Sequence, residues 1–260
     1  MKNREIFFEK YEELKETIRK ECEGGVYYFP NPGNWGDALI RHGTIKFLND
    51  MNLRYEILRP KTSLVGIKQF IRGGTVIYGG GGAWCKAWDK SESIVDQFRK
   101  RFKVIVLPST FENHYVIPNT KFFVRDIYNS KANMPEARFC HDMAFYIGDE
   151  MKSNAKGSGK GYFFRTDKES SNKFKIPKNN IDLSQKANHM ERIDGFFEQI
   201  DYFSAIYTDR LHVSIAGCLL NKEVHLYPGS YFKNESIYLS SMRDFFDNVY
   251  FHKAKFVESD

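Results

Sequence analysis

Strands that alternate with helices along 260 residues predict an α/β fold: two Rossmann-like lobes of mostly parallel sheet, with a ligand cleft between them. Three observations carry this reading. Short apolar runs recur between amphipathic stretches at βα spacing. The glycine-rich and polar loops follow strands, which is the edge where open α/β sheets bind ligands. The polar segment 151–160 interrupts the pattern, which then restarts. The expected lobes are therefore residues 1–155 and 156–260, the second smaller.

Each element has a local cause. Residues 3–22 alternate charged and apolar side chains at helical spacing and stop at Gly24-Gly25. Val26–Phe29 reads as a buried strand. Pro30–Asp37 is a turn-rich loop that leads into a helix over Ala38–Leu48. A strand is expected at Arg54–Leu58 and a helix at Thr62–Arg72. Thr75–Tyr78 is a third strand that runs into the glycine loop Gly79–Gly82. Ser91–Arg101 reads as helix, and Lys103–Leu107 as a strand closed by Pro108-Ser109-Thr110. Short strands follow at Lys121–Val124 and Ala137–Cys140. In the second lobe a strand over Gly161–Phe164 ends at Arg165-Thr166-Asp167, and residues 168–187 read as loop. Then come a helix (Ala187–Ile200), a strand (Ala205–Tyr207), a helix (Leu211–Leu220), a strand (Glu223–Tyr227), a helix (Ser236–Phe246) and a last strand (Val249–His252).

Composition narrows the function. The net charge of +6, from 39 basic and 33 acidic residues, suits an anionic small substrate, an acidic polymer or a membrane surface. It is too mild and too evenly spread to argue for nucleic acid, so no nucleic-acid partner is expected. Cys22, Cys85, Cys140 and Cys218 lie far apart with no CxxC pair, which argues against a zinc site or a disulfide framework and for a reduced, cytoplasmic setting. No run approaches a membrane span, and the charged start has no apolar signal core. Gly159-Lys160-Gly161 lacks the pattern of a phosphate-binding P-loop, Gly79–Gly82 does not match the dinucleotide fingerprint, and Ser109 lacks a GxSxG elbow. The histidines have no metal-ligand spacing, so neither metal nor cofactor is expected.

Thr208-Asp209-Arg210-Leu211-His212 is the most telling stretch. It reads as the turn between a strand and a helix, placing a guanidinium and an imidazole where free N–H groups already favour an anion. Arg offers a planar fork for carboxylate or phosphate, and His a titratable proton. Arg165, at the end of another strand of the same lobe, would share that edge; pairing with Asp167 or Glu169 is the structural alternative. Lys233 is a candidate for a further cation above the same edge, but the expected reading is a solvated lysine before a helix. In the first lobe Asn34, Gly36 and Asp37 stand at a helix start, where Asp37 is as much a cap as a base. Gly80 and Gly81 permit close approach of a ligand, and Trp84 offers a ring for a sugar or for the core. His141-Asp142 are neighbours on a strand, so their side chains point to opposite faces.

Six motifs occur in order: Asn34-Trp35-Gly36-Asp37, Gly79–Gly82, Val124-Arg125-Asp126, His141-Asp142-Met143-Ala144-Phe145, Phe164-Arg165-Thr166-Asp167-Lys168-Glu169 and Thr208-Asp209-Arg210-Leu211-His212. With them the chain resembles the polysaccharide pyruvyl transferase family, from about residue 25 to about residue 245. The resemblance implies a GT-B-like fold and no metal. It also implies transfer of pyruvate from phosphoenolpyruvate onto two hydroxyls of a sugar, or of a lipid-linked oligosaccharide, as a cyclic ketal with release of phosphate. It implies a donor site of Arg165, Arg210, Leu211 and His212 on the second lobe, with His212 as acid. On the first lobe it implies an acceptor side, taken here as Asn34, Gly80, Gly81 and Trp84, with Asp37 as base. A lipid-linked acceptor would bring peripheral contact with the inner face of the membrane. Two rivals share these features: a GT-B glycosyltransferase using a nucleotide sugar, and a non-catalytic sugar-binding protein of polysaccharide export.

Overall fold

A computed structural model describes residues 1–58, 73–86, 88, 90–151, 157–167, 169–171 and 175–253. Two sheets form, and every strand pairing among the described residues is parallel. The first sheet holds β1 (Val26–Phe29), β2 (Glu56–Ile57), β3 (Thr75–Tyr78), β4 (Gly81–Trp84), β5 (Lys103–Phe111), β6 (Thr120–Val124) and β7 (Arg138–Phe139). Its order is β2-β1-β3-β5-β6-β7, with β4 laid on β5. The second sheet, in the order β11-β10-β9-β8, holds β8 (Lys160–Phe163), β9 (Ala205–Thr208), β10 (Glu223–Leu226) and β11 (Val249–Phe251).

The centre of the first sheet is covered on both faces, which is why β1, β3 and β5 are almost wholly buried. Side chains alternate between two clusters with the period of a strand. Tyr28, Ile77, Ile105 and Leu107 face one cluster, and Phe29, Val76, Tyr78, Val104 and Val106 face the other. The second cluster packs on α3 (Lys90–Arg99) through Val95 and Phe98. The first is continuous between the sheets. It takes Phe7, Tyr11, Leu14 and Ile18 from α1 (Arg4–Glu21), Leu39 and Phe47 from α2 (Trp35–Asp50), and Phe145 and Ile147 from the 3-10 segment Met143–Glu150. Phe163, Ile206 and Val224 join it from the second sheet. A short helix α4 (Asn129–Asn133) follows β6. In the second half α5 (Asp194–Asp201), α6 (Leu211–Leu219) and α7 (Lys233–Ser241) follow β8, β9 and β10.

Some expectations shift. The strand expected to end at Leu107 continues to Phe111. The register of β5 against β6 slips between Val106 and Ser109, and beyond that point β5 pairs with β4. Such an irregularity is where a proline without an N–H is tolerated in a sheet. The glycine run is not a free loop: Gly81 begins β4, and its φ of +118° explains the glycine there. The helix expected from Ala187 begins only at Asp194. The preceding residues are drawn instead across the start of α2: the Trp35 indole donates to the Arg192 carbonyl at 2.8 Å, and His189 N–H donates to the Gly33 carbonyl at 3.1 Å. The helix expected over Ser236–Phe246 runs from Lys233 to Ser241. The helix expected at Thr62–Arg72 and the lobe boundary at 155/156 lie outside the described residues. Among the described residues no helix is long and apolar enough to cross a membrane, and the cysteines are unpaired.

Candidate functional site

A cavity of about 480 Å³ lies between the C-terminal edges of the two sheets. One wall comes from the first sheet: Asn31–Asn34 and Asp37 after β1, Gly80, Gly82 and Ala83 around β4, Trp88, and Arg125 after β6. The other comes from the second: Arg165, Asp167 and Glu169 after β8, Ser184 and Gln185, Arg210–His212 after β9, and Lys233 opening α7. Parallel βα order places each of these segments at the same end of its sheet.

Arg165, Arg210 and His212, the expected donor residues, are brought together here. Arg210 is the cap residue of α6 rather than part of its first turn, and His212 sits two residues later. Leu211 reaches the cavity wall but is 4% exposed and belongs to the core. Both guanidiniums are already engaged. Arg165 forks onto Asp167 (2.9 and 3.0 Å) and reaches Glu169 at 2.5 Å. Arg210 holds Asp167 at 3.0 Å and Asp182 at 2.5 Å. It does not pair with Asp209, whose carboxylate instead accepts the Arg165 backbone N–H at 2.8 Å; burial pushes that carboxyl up to about 6. Burial also opposes the charge on Glu169, but Lys233 and Arg165 outweigh it and hold the carboxyl down at about 2.

His212 is wedged between the halves of the molecule. Its Nε2 is buried and points at Asp142 Oδ2, 3.6 Å away. Its Nδ1 lies against Gly36 of α2, where a Cβ would come within 2.7 Å of it. Nothing in the residue pattern around either position announced the Asp142 contact. Asp142 is 1% exposed; Oδ2 accepts Arg125 Nη1–H at 2.6 Å, and Oδ1 accepts the Ala144 N–H at 2.9 Å. Burial works against its charge, yet His212 and Arg125 together keep the carboxyl well below the usual carboxylate range. Its neighbour His141 turns the other way; both lie beyond β7, which ends at Phe139, and Asp142 caps the 3-10 segment that follows. His141 stacks on Phe7 with ring centroids 3.7 Å apart and bonds Ser241, and burial drives its pKa down to about 3. His141 is therefore structural, while Asp142 and Arg125 belong to the site.

On the acceptor side, Asn34 and Asp37 form a capping box at the start of α2. Asn34 Oδ1 accepts the Gly36 N–H at 2.8 Å, and Asp37 Oδ2 accepts the Asn34 N–H at 2.9 Å. Asp37 thus is a cap that also lines the cavity. Gly80 lines it as well, with its carbonyl held by the Asn31 amide at 3.0 Å. Gly81 does not: the space beside its Cα is filled by Ile40. The expectation for Trp84 is corrected outright. It is 1% exposed and packs among Phe111, Tyr115 and Phe122. The aromatic at the cavity is Trp88, 45% exposed, whose indole donates to Glu169. Among the described residues no cluster of three or more His, Cys, Asp or Glu is placed to hold a metal.

Gly36 offers a test of the His212 position. Gly36 is the second residue of α2, and a Cβ there would also come within 3.0 Å of Asn34 Oδ1 and 3.2 Å of His212 Cβ, so Gly36→Ala is expected to lower thermal stability. The added methyl must displace His212, and turnover is expected to fall at least roughly tenfold, the equivalent of 1.4 kcal/mol in the barrier. Turnover equal to the parent's would show that the imbricated contact is immaterial to activity.

A model of the family described as polysaccharide pyruvyl transferase matches residues 34–230. That span includes Asp37, Arg125, Asp142, Arg165, Arg210 and His212, and stops just before Lys233. No curated protein matches the chain. A crystal structure of a functionally uncharacterized protein from Klebsiella pneumoniae is similar along nearly the whole length. It shares 26% identity at a TM-score of 0.76, over 98% of this chain and 100% of that one.

Proposed function

Since the chain belongs to the polysaccharide pyruvyl transferase family, we propose that it transfers pyruvate from phosphoenolpyruvate to two hydroxyls of a sugar in a cell-surface polysaccharide or its lipid-linked precursor. The observation that carries this reading is the convergence of Arg165, Arg210 and His212, with Arg125 and Lys233, on one cavity between two sheet edges. Phosphoenolpyruvate presents a carboxylate and a phosphate on a three-carbon frame, and guanidinium forks match both groups.

The chemistry follows from the donor. The methylene carbon takes a proton, and the adjacent carbon gains oxocarbenium character. One hydroxyl adds to it, the bond to phosphate breaks, and the second hydroxyl closes the ketal. One of the two hydroxyl protons replaces the proton given to the methylene, and the other leaves with phosphate. His212 is the proposed acid. Asp142 faces Nε2, so a protonated imidazole would have its charge balanced by the carboxylate on that side. Asp37 is the proposed base: its Oδ2 is taken by the Asn34 N–H, which leaves Oδ1 for a hydroxyl. Asn34 and Gly80 are proposed to flank the acceptor.

Calorimetry with phosphoenolpyruvate tests the donor assignment, with a nucleotide sugar titrated in parallel. Binding of phosphoenolpyruvate is expected, weakened roughly tenfold or more in Arg210→Lys, where one bidentate fork is lost. Tight nucleotide-sugar binding without phosphoenolpyruvate binding would replace this reading with a glycosyltransferase.

A further inference from the structure

Among the described residues the cavity carries four cationic side chains, Arg125, Arg165, Arg210 and Lys233, and the carboxylates bonded to them are also four: Asp142, Asp167, Asp182 and Glu169. Each cation already has a carboxylate partner, so an incoming polyanion must exchange with one already in place. Three of the four are anchored to backbone. Asp142 accepts the Ala144 N–H at 2.9 Å, Asp167 the Glu169 N–H at 3.1 Å, and Asp182 the Thr166 N–H at 2.7 Å. Among the described residues the Glu169 carboxylate is held by side chains alone: Arg165 at 2.5 Å, Lys233 at 2.9 Å, and the indole of Trp88. It also has the longest stem of the four, and its partners are cations that an anionic ligand would seek.

We propose that Lys233 and Arg165 form an oxyanion subsite that Glu169 occupies in the free protein, and that one anionic end of the donor displaces it. The inference rests on the phosphoenolpyruvate reading for the identity of the donor, not for the existence of the subsite. Lys233 is thereby a donor-binding residue rather than a solvated lysine. It is 8% exposed, and burial lowers its pKa against the pull of Glu169, so it gains from a strong anionic partner at close range. Exchange on Lys233 also releases the Glu169 bond to Trp88.

The test compares parent, Glu169→Gln, Lys233→Met and the double variant by calorimetry with inorganic phosphate, pyruvate and phosphoenolpyruvate. Gln keeps the shape of Glu169 and removes the competing charge, so Glu169→Gln is expected to bind phosphate and phosphoenolpyruvate roughly tenfold more tightly. The double variant is expected to lose that gain. Whichever of phosphate and pyruvate shows the gain identifies the end of the donor that enters the subsite. In the parent, saturating anion is expected to change the Trp88 emission, a change absent in Trp88→Phe; this readout needs no substitution at Glu169. Unchanged or weaker anion binding in Glu169→Gln, a gain that survives Lys233→Met, or a silent Trp88 each overturns the proposal. Phosphate tightening without any phosphoenolpyruvate binding would overturn the donor reading and leave the subsite standing.

Discussion

His212→Ala is expected to slow pyruvyl transfer by roughly 10²- to 10⁴-fold, the usual contribution of a positioned acid, while phosphoenolpyruvate affinity changes by only a few-fold. The asymmetry follows from what each group faces. In the proposed site the charges that would meet the donor come from Arg165, Arg210, Arg125 and Lys233, and all of them survive the substitution. Among the described residues at the cavity, the imidazole is the group that combines a titratable ring with a buried carboxylate behind it. Loss of the proton donor therefore lowers kcat and kcat/KM together, the pattern of an interaction made only in the transition state. Arg210→Lys separates the roles, since it is expected to move affinity more than rate. Phosphate release measured over a range of donor concentrations gives both parameters. If His212→Ala instead binds the donor poorly and turns over normally once saturated, the imidazole is a ligand of the donor and the acid lies elsewhere.

The residues of this site differ in how far they could be read from sequence. Arg165, Arg210 and His212 were legible because each closes a strand of one lobe, and parallel order alone sends such residues to a common edge. Arg125 and Asp142 are equally central, and their motifs were visible, but their partnership was not. It depends on β6 and β7 lying side by side, with Val124 opposite Phe139, and on the second half bringing His212 to the same point. Pairings that distant in sequence leave no local trace. Trp84 and Trp88 show the opposite failure. Both follow the glycine run, but Gly81–Trp84 is a strand whose last ring turns into the core, and the ring at the cavity comes four residues later. The central strands β1 and β3 were the surest elements because burial on both faces makes them uniformly buried runs. The start of the helix at Asp194 was the least sure, because residues 187–193 are shaped by contacts with Gly33 and Trp35, not by their own periodicity.

Asp142→Ala is expected to be the most destabilising single change at the site, by about 3–5 kcal/mol, the cost of stranding one member of a buried ion pair. Arg125 is 1% exposed, and among the described residues the other hydrogen-bond partner of its guanidinium is the hydroxyl of Thr110 at 2.8 Å. Without Asp142 the guanidinium is left charged in the interior, and the Ala144 N–H also loses its acceptor. Asp142→Asn is the more informative variant, because the amide oxygen still accepts one of these bonds while the charge is gone. Its urea midpoint should fall by less, and its turnover should fall towards that of His212→Ala, since the imidazolium has lost its counter-charge. The pH dependence has a definite sign. The Asp142 carboxyl titrates lower in the folded protein than the ordinary value of about 3.9. The unfolded chain therefore binds the proton first on acidification, so this contribution is complete above about pH 5 and declines as pH falls through 4 and below. Asp142→Asn should lack that part of the acid slope and show a shallower loss of stability between about pH 4 and pH 2. An Asn variant with the parent's midpoint, acid slope and turnover would show that the buried carboxylate neither holds Arg125 nor serves His212.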